Sequence, residues 1–320
     1  MARRKILLTG AAGFIGSHAA ERLLARGDQV VGLDNFNDYY DPRLKRNNAD
    51  KLRAFPQFEL CDGDIRDDRV VRKLFSQHRF DTVIHLAAMA GVRASVDAPH
   101  LYVDVNISGT VNLLEAARKN GNAHFVFAST SSAYGRTEAI PFLETDSAAA
   151  PLAPYPATKR SCELLGHSYH HIHGMSFTAL RFFTVYGPRN RPDMLAHLAL
   201  DACFGRKRLV LHEDGEMWRD WTYVTDIAEG VVQAADHRLG YQVINLGRGE
   251  PVLLREFVQK VAALCGKTVS WTSHPMPAAD VTRTWAKIDK ARRMLGYNPQ
   301  VSVDAGVQHL VEWYRNYYQL

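Results

Sequence analysis

The stretch Lys5-Ile6-Leu7-Leu8-Thr9-Gly10-Ala11-Ala12-Gly13-Phe14-Ile15-Gly16 decides the fold. Residues 5–9 form a short apolar run that reads as a buried strand, and residues 14–26 carry the spacing of an amphipathic helix. Between them stand Gly10, Gly13 and Gly16. Glycines at such a turn let the backbone fold tightly and approach a pyrophosphate, which then rests on the positive end of the following helix. The spacing is GxxGxxG rather than the common GxGxxG, so the triplet needs context. The next strand, residues 29–33, supplies it by ending in Asp34, where a carboxylate would meet the adenosine ribose hydroxyls. A carboxylate there repels a 2′-phosphate, so NAD is expected rather than NADP. Asp64, in Gly63-Asp64-Ile65, is a second acidic strand end that could meet the adenine or simply form a turn.

Outward from this unit, apolar runs at 58–60, 82–86, 125–129 and 177–182 alternate with helical patterns such as 68–77 and 105–119. That rhythm predicts an α/β fold, a Rossmann-type doubly wound parallel sheet. After residue 180 it loosens: Pro188 and Pro192 punctuate it, a helix is expected at 194–204, and another, 303–318, near the end of the sequence. The expected division is a nucleotide-binding domain at 1–180, with a returning segment near 221–247. A smaller, partly interleaved α/β substrate domain takes 181–220 and 248–320.

Composition narrows the class. The 320 residues are 46% hydrophobic and 23% charged, with a net charge of +5, which suits a globular protein whose small ligand is anionic. Nothing basic is denser than Arg206-Lys207-Arg208, so no nucleic-acid partner is expected. Cys61, Cys162, Cys203 and Cys265 lie far apart and read as buried or incidental thiols of a reducing compartment. Neither a secretory leader nor a membrane-length apolar run is seen, so the expected location is cytoplasmic. His167, His170, His171 and His173 invite a metal reading, but no carboxylate or cysteine completes a ligand set, so no metal is expected.

Tyr155-Pro156-Ala157-Thr158-Lys159 sets a phenol and an ammonium four residues apart, on one face if the segment is helical. A free tyrosine ionises near pH ~10, so it needs a neighbouring cation to act as a base near neutrality. Upstream, the strand at 125–128 ends in Ser129-Thr130-Ser131-Ser132, hydroxyls where a parallel strand delivers its C-terminal end to a site.

Gly10…Gly13…Gly16, His85-Leu86-Ala87-Ala88, Ser129-Thr130-Ser131, Tyr155…Lys159, and the segments 181–187 and 219–224 together resemble the extended short-chain dehydrogenase/reductase family. The resemblance covers nearly the whole chain. Within the family, segments 34–42, 90–95 and 189–194 are most similar to the UDP-glucuronate 4-epimerases. The resemblance implies Tyr155 as base, Lys159 on the nicotinamide ribose and Thr130 sharing the sugar 4-hydroxyl. NAD contacts would come from Gly10, Gly13, Phe14, Ile15, Gly16, Asp34, Asn35, Asp64, Ile65, Leu86, Ala87 and Ala88, besides Tyr155 and Lys159. UDP-sugar contacts would come from Arg93, Ser131, Ser132, Thr184, Arg191, Arg219 and Asp280. Of these, Arg219 would hold the diphosphate, and Arg191 with Thr184 a uronate carboxylate.

The family's reactions begin with oxidation at sugar C4 and then diverge. Its 4,6-dehydratases carry Thr-Asp-Glu, and its UDP-glucuronate decarboxylases Thr-Ser-Glu, where this chain has Thr130-Ser131-Ser132. With no carboxylate beside the ketone, the expectation is epimerisation of UDP-glucuronate to UDP-galacturonate without loss of CO2. Two alternatives stay open: a 4-epimerase of a neutral UDP-hexose (UDP-glucose or UDP-N-acetylglucosamine), and a non-catalytic NAD-sensing protein. The family's dimers pair the helix bearing the tyrosine and lysine, so a homodimer is implied.

Overall fold

The computed structural model describes residues 3–121, 123–137 and 139–320. Its strands are β1 (Lys5–Thr9), β2 (Gln29–Asp34), β3 (Phe58–Asp62), β4 (Thr82–His85), β5 (His124–Thr130), β6 (Phe177–Phe182), β7 (Thr184–Tyr186), β8 (Leu209–His212), β9 (Trp218–Tyr223), β10 (Tyr241–Leu246), β11 (Pro251–Leu253) and β12 (Trp271–His274). Seven of them form one parallel sheet in the order β10-β6-β5-β4-β1-β2-β3. Every residue of β4, β5 and β6 is buried, which is why these strands read as nearly continuous apolar runs rather than alternating ones.

Alternation along the strands feeds two cores. Ile6, Leu8, Val126 and Ala128 face the helices Phe14–Ala25 and Val224–Asp236. Leu7, Phe125 and Phe127 face the other side, against helices Asp68–Gln77, Gly109–Lys119 and Pro154–His173. After β6 the chain leaves the sheet and then returns, β10 pairing in register with β6. Outside the sheet, β11-β9-β7 and the pair β12-β8 join helices Leu195–Cys203, Leu254–Cys265 and Val303–Tyr318 around a third core. There Trp221 and Phe257 stack with ring centres 3.8 Å apart. Among the described residues no helix is long and apolar enough to cross a membrane.

The single helix expected at 105–119 is present, with its first turn wound more widely. A π turn, Asp104–Ser108, precedes helix Gly109–Lys119. The wide turn accompanies an inward Asn106, whose Oδ1 accepts from Met89 N–H at 2.9 Å while Nδ2 donates to Met89 O and Thr158 Oγ1, each at 3.0 Å. Periodicity cannot reveal that, because the turn is set by partners far along the chain.

Helix Pro154–His173 is tied to the sheet by a buried charge. Glu163 has no exposure; it accepts from Ser129 Oγ at 2.6 Å, from Arg181 Nε and Nη2 at 2.9 and 2.8 Å, and from Arg160 Nη1 at 2.9 Å. Removing one partner of such a pair leaves the other charge buried and uncompensated. Glu163→Ala is therefore expected to lower the unfolding free energy by about 3–5 kcal/mol in urea titrations, and Glu163→Gln by less.

Candidate active site

The C-terminal ends of the parallel strands open onto a cavity of about 370 Å³, where the strand order reverses between β1 and β4. The glycine turn forms its floor, from Gly10 and Gly13 through Phe14, Ile15 and Gly16. Gly10 has φ 70°, and a Cβ there would come within 2.8 Å of Ala87 N, so only glycine lets the turn seat against the segment Leu86-Ala87-Ala88. Helix Phe14–Ala25 starts at Gly13 with no side chain capping its first turn. Its leading N–H groups therefore remain available to an anion, which is the fit a dinucleotide pyrophosphate requires.

Leu86 to Ala88 are held from below. Thr110 Oγ1 donates to Asn106 O at 2.5 Å, so it accepts from His85 Nε2 at 3.0 Å. His85 Nδ1 is then the acceptor for Thr9 Oγ1 at 2.7 Å, and Thr9 Oγ1 accepts in turn from Ala87 N–H at 3.2 Å. Complete burial holds this imidazole neutral, well below the ordinary histidine range.

Asp34 lies at the end of β2, accepting from Ala12 N–H at 3.1 Å and Phe36 N–H at 3.0 Å. Burial raises its pKa, while Lys45 and those N–H groups oppose the rise. Lys45 was not singled out in the sequence. Its Nζ donates to Asn37 Oδ1 at 2.7 Å and stands 3.8 Å from Asp34 Oδ1, inside the cavity lining. The ribose end thus holds a carboxylate with a cation beside it rather than a carboxylate alone. A signal was present: Lys45, Asn48, Ala49 and Leu52 form the buried face of helix Pro42–Leu52, and a lysine on such a stripe faces something. Asn35, Asp64 and Ile65 also line the cavity. Asp64 Oδ2 accepts from Asn35 Nδ2 at 2.9 Å, and hydrogen bonds from Arg66 outweigh burial to lower its pKa.

At the opposite end Thr130, Ser131, Ser132, Tyr155, Lys159, Thr184 and Arg191 share the wall. Pro154 opens the helix that carries Tyr155 and Lys159, a position where its missing N–H costs nothing. Lys159 follows Tyr155 by one turn of that helix. Lys159 Nζ lies 4.7 Å from the centre of the Phe127 ring, and burial pushes its pKa down to about 8. The phenol of Tyr155 faces opposing influences. Burial raises the phenol's pKa, and Arg191 and the Thr130 hydroxyl, within hydrogen-bonding reach, pull it back.

Arg93, Arg219 and Asp280 lie outside this lining but near one another. Arg93 Nη2 donates to Asp280 Oδ2 at 2.7 Å. Arg219 is lowered by burial, with Asp280 opposing and Arg93 adding to the shift. Of the four histidines, His167 and His171 stack with ring centres 6.5 Å apart, His167 packs edge-on to Tyr241, and His170 Nδ1 is 2.9 Å from Met175 O. Among the described residues no group of three or more His, Cys, Asp or Glu side chains is placed to hold a metal. Residues not anticipated in the cavity wall include Asn37, Tyr39, Tyr40 and Met89.

Thr130→Val removes a partner of the Tyr155 phenolate. It is expected to raise the phenol's pKa, moving the acid limb of the pH–rate profile to higher pH. Tyr155→Phe should lower turnover by roughly 10²–10⁴-fold.

The chain matches the family described as GDP-mannose 4,6 dehydratase over residues 7–310. It is 41% identical to a UDP-glucuronate 4-epimerase of Thermodesulfobacterium geofontis, over 96% of this chain and 95% of that protein. It is also 41% identical to UDP-glucuronate 4-epimerase 4 of Arabidopsis thaliana, over 98% of this chain and 76% of that one. Among solved structures, UDP-glucuronic acid 4-epimerase from Bacillus cereus, in complex with UDP-glucuronic acid and NAD, is similar with a TM-score of 0.92 at 36% identity. That similarity covers 98% of this chain and 100% of that chain. The chain belongs to the extended short-chain dehydrogenase/reductases, in the family described as GDP-mannose 4,6 dehydratase.

Proposed function

We propose that the protein is a UDP-glucuronate 4-epimerase that interconverts UDP-glucuronate and UDP-galacturonate with NAD. The observation carrying this is the makeup of the cavity's reacting end. Its hydroxyls are Thr130, Ser131, Ser132, Tyr155 and Thr184, and its cations Lys159 and Arg191. Among the described lining residues the only carboxylates, Asp34 and Asp64, stand at the β2 and β3 end. A dehydratase or decarboxylase of this family would need an acid beside the ketone, and a neutral hexose would bring no anion to the N–H donors of Arg191 left over from its pair with Asp193.

In this reading the glycine turn, Asp34, Asn35 and Lys45 hold the adenosine half of NAD, and Lys159 holds the nicotinamide ribose. NAD, when bound, would supply the hydride acceptor and donor for C4. Tyr155 Oη takes the proton of the C4 hydroxyl, with Thr130 Oγ1 sharing that hydrogen bond. After the 4-keto sugar turns over about its link to the diphosphate, Tyr155 returns the proton to the C4 oxygen on the other face. Arg219, Arg93 and Asp280 serve the nucleotide and diphosphate. Arg191 and Thr184 hold the carboxylate out of line with the ketone π system, the alignment in which a β-keto acid loses CO2.

The same reading takes residues 1–180 with the return near 221–247 as the cofactor domain, and 181–220 with 248–320 as the substrate domain. The free cysteines suit a cytoplasmic setting. Leu164, 53% exposed on helix Pro154–His173, with Leu101 and Val103 of the short helix Pro99–Val103, supports a homodimer packed through these helices.

With UDP-glucuronate, proton NMR is expected to show the C4 epimer accumulating to equilibrium without net NADH, and Arg191→Ala to release CO2 as well. Turnover of UDP-glucose but not of the uronate would refute the assignment. Leu164→Arg is expected to shift the protein from dimer to monomer in light scattering.

A further inference from the structure

The guanidinium of Arg191 is gripped along one edge. Nε and Nη2 donate to Asp193 Oδ1 and Oδ2 at 3.0 and 2.6 Å, a two-pronged pair. Asp193 Oδ2 also accepts from Tyr39 Oη at 3.3 Å, and Arg191 Cζ lies 5.6 Å from the centre of the Tyr39 ring. Tyr39 is fixed in turn by a close backbone. Gly91 has φ 123°, and a Cβ on it would stand 2.9 Å from Tyr39 Oη. The remaining N–H donors of Arg191, on Nη1 and the outer side of Nη2, meet no acceptor among the described residues.

Position separates the two partners. Arg191 lines the cavity and Asp193 does not, and the Asp193 side chain is 38% exposed against 19% for Arg191. The anion therefore stands on the solvent side of the guanidinium, leaving the opposite edge to the cavity and Tyr155. Asp193 cannot raise affinity for a uronate, because it places a second negative charge near the first. What it supplies is direction. A long arginine side chain has many rotamers, and a carboxylate gripped by one wandering donor is free to swing.

We propose that Asp193, backed by Tyr39, is a positioning residue that aims Arg191 at the sugar carboxylate, and that this aim decides between epimerisation and loss of CO2. The inference rests on the uronate reading above. In the 4-keto intermediate the competing step breaks the C5–C6 bond. Its electron pair passes into the enolate of the C4 ketone, CO2 leaves, and C5 then takes a proton to give the 4-keto pentose. The step runs when the C5–C6 bond lies perpendicular to the ketone plane. A guanidinium held at one edge by Asp193 presents its other edge at a fixed angle and keeps the carboxylate from that orientation.

The test follows UDP-glucuronate labelled with carbon-13 at C6, comparing CO2 released with epimer formed. In Asp193→Asn the ratio is expected to rise roughly ten- to a hundredfold. It rises less in Tyr39→Phe and falls back toward the parent value in Asp193→Glu. Because Asp193 acts through Arg191, adding Asp193→Asn to Arg191→Ala raises the ratio no further. An unchanged ratio in both Asp193→Asn and Tyr39→Phe, or an equal rise in the two backgrounds, overturns the inference and leaves the epimerase reading standing. Failure of the unaltered protein to turn over UDP-glucuronate overturns that reading and this inference together.

Discussion

The carboxylate of Glu163 organises the reacting half of the molecule. An ion taken out of water costs several kcal/mol, of order, unless partners replace its hydration. Here Arg181 comes from β6, Ser129 from β5 and Arg160 from the helix itself. Those contacts set the rotation of helix Pro154–His173 about its axis. Lys159 and Tyr155, one and two turns earlier, consequently face the cavity, and Thr130 follows directly on the anchored Ser129. The far side of the knot reaches the returning strand: Arg181 lies 4.4 Å from the Tyr134 ring centre, and Tyr134 Oη donates to Asn245 of β10 at 2.7 Å.

Burial drives Tyr155 and Lys159 toward their neutral forms. The groups that oppose this, Arg191 and Thr130, belong to the part of the wall that would touch the sugar. In the function proposed above, base strength is coupled to the same residues that would recognise the substrate, so charge arriving in the pocket would tune both at once.

Much of this was legible in the residues. The parallel sheet follows from the alternation of apolar runs with helical periods, and the Gly10 turn and Asp34 needed only local chemistry. The hydroxyl run and Tyr155 with Lys159 were readable as local patterns and share one cavity wall, whereas the charge of Arg191 toward the phenol was not readable. Arg191 lies in a different part of the chain, and no spacing rule links it to Tyr155. Lys45, the π turn at Asn106 and the grip of Asp193 on Arg191 share that property, since each depends on contacts made only after the chain has folded. Arg93, Asp280 and Arg219 show a third case, in which motif placement named the residues and only the fold showed that they gather.

The return of β10 to the edge of β6 has a consequence for biogenesis. β6 stays unpaired on that side until residues 241–246 arrive, and in a chain of 320 residues they leave the ribosome late. Until then the nascent sheet displays a row of unsatisfied backbone donors and acceptors, a template for pairing with another chain. β10 then takes the edge position itself, so the open edge moves from the fully buried β6 to a strand whose first three residues are partly exposed.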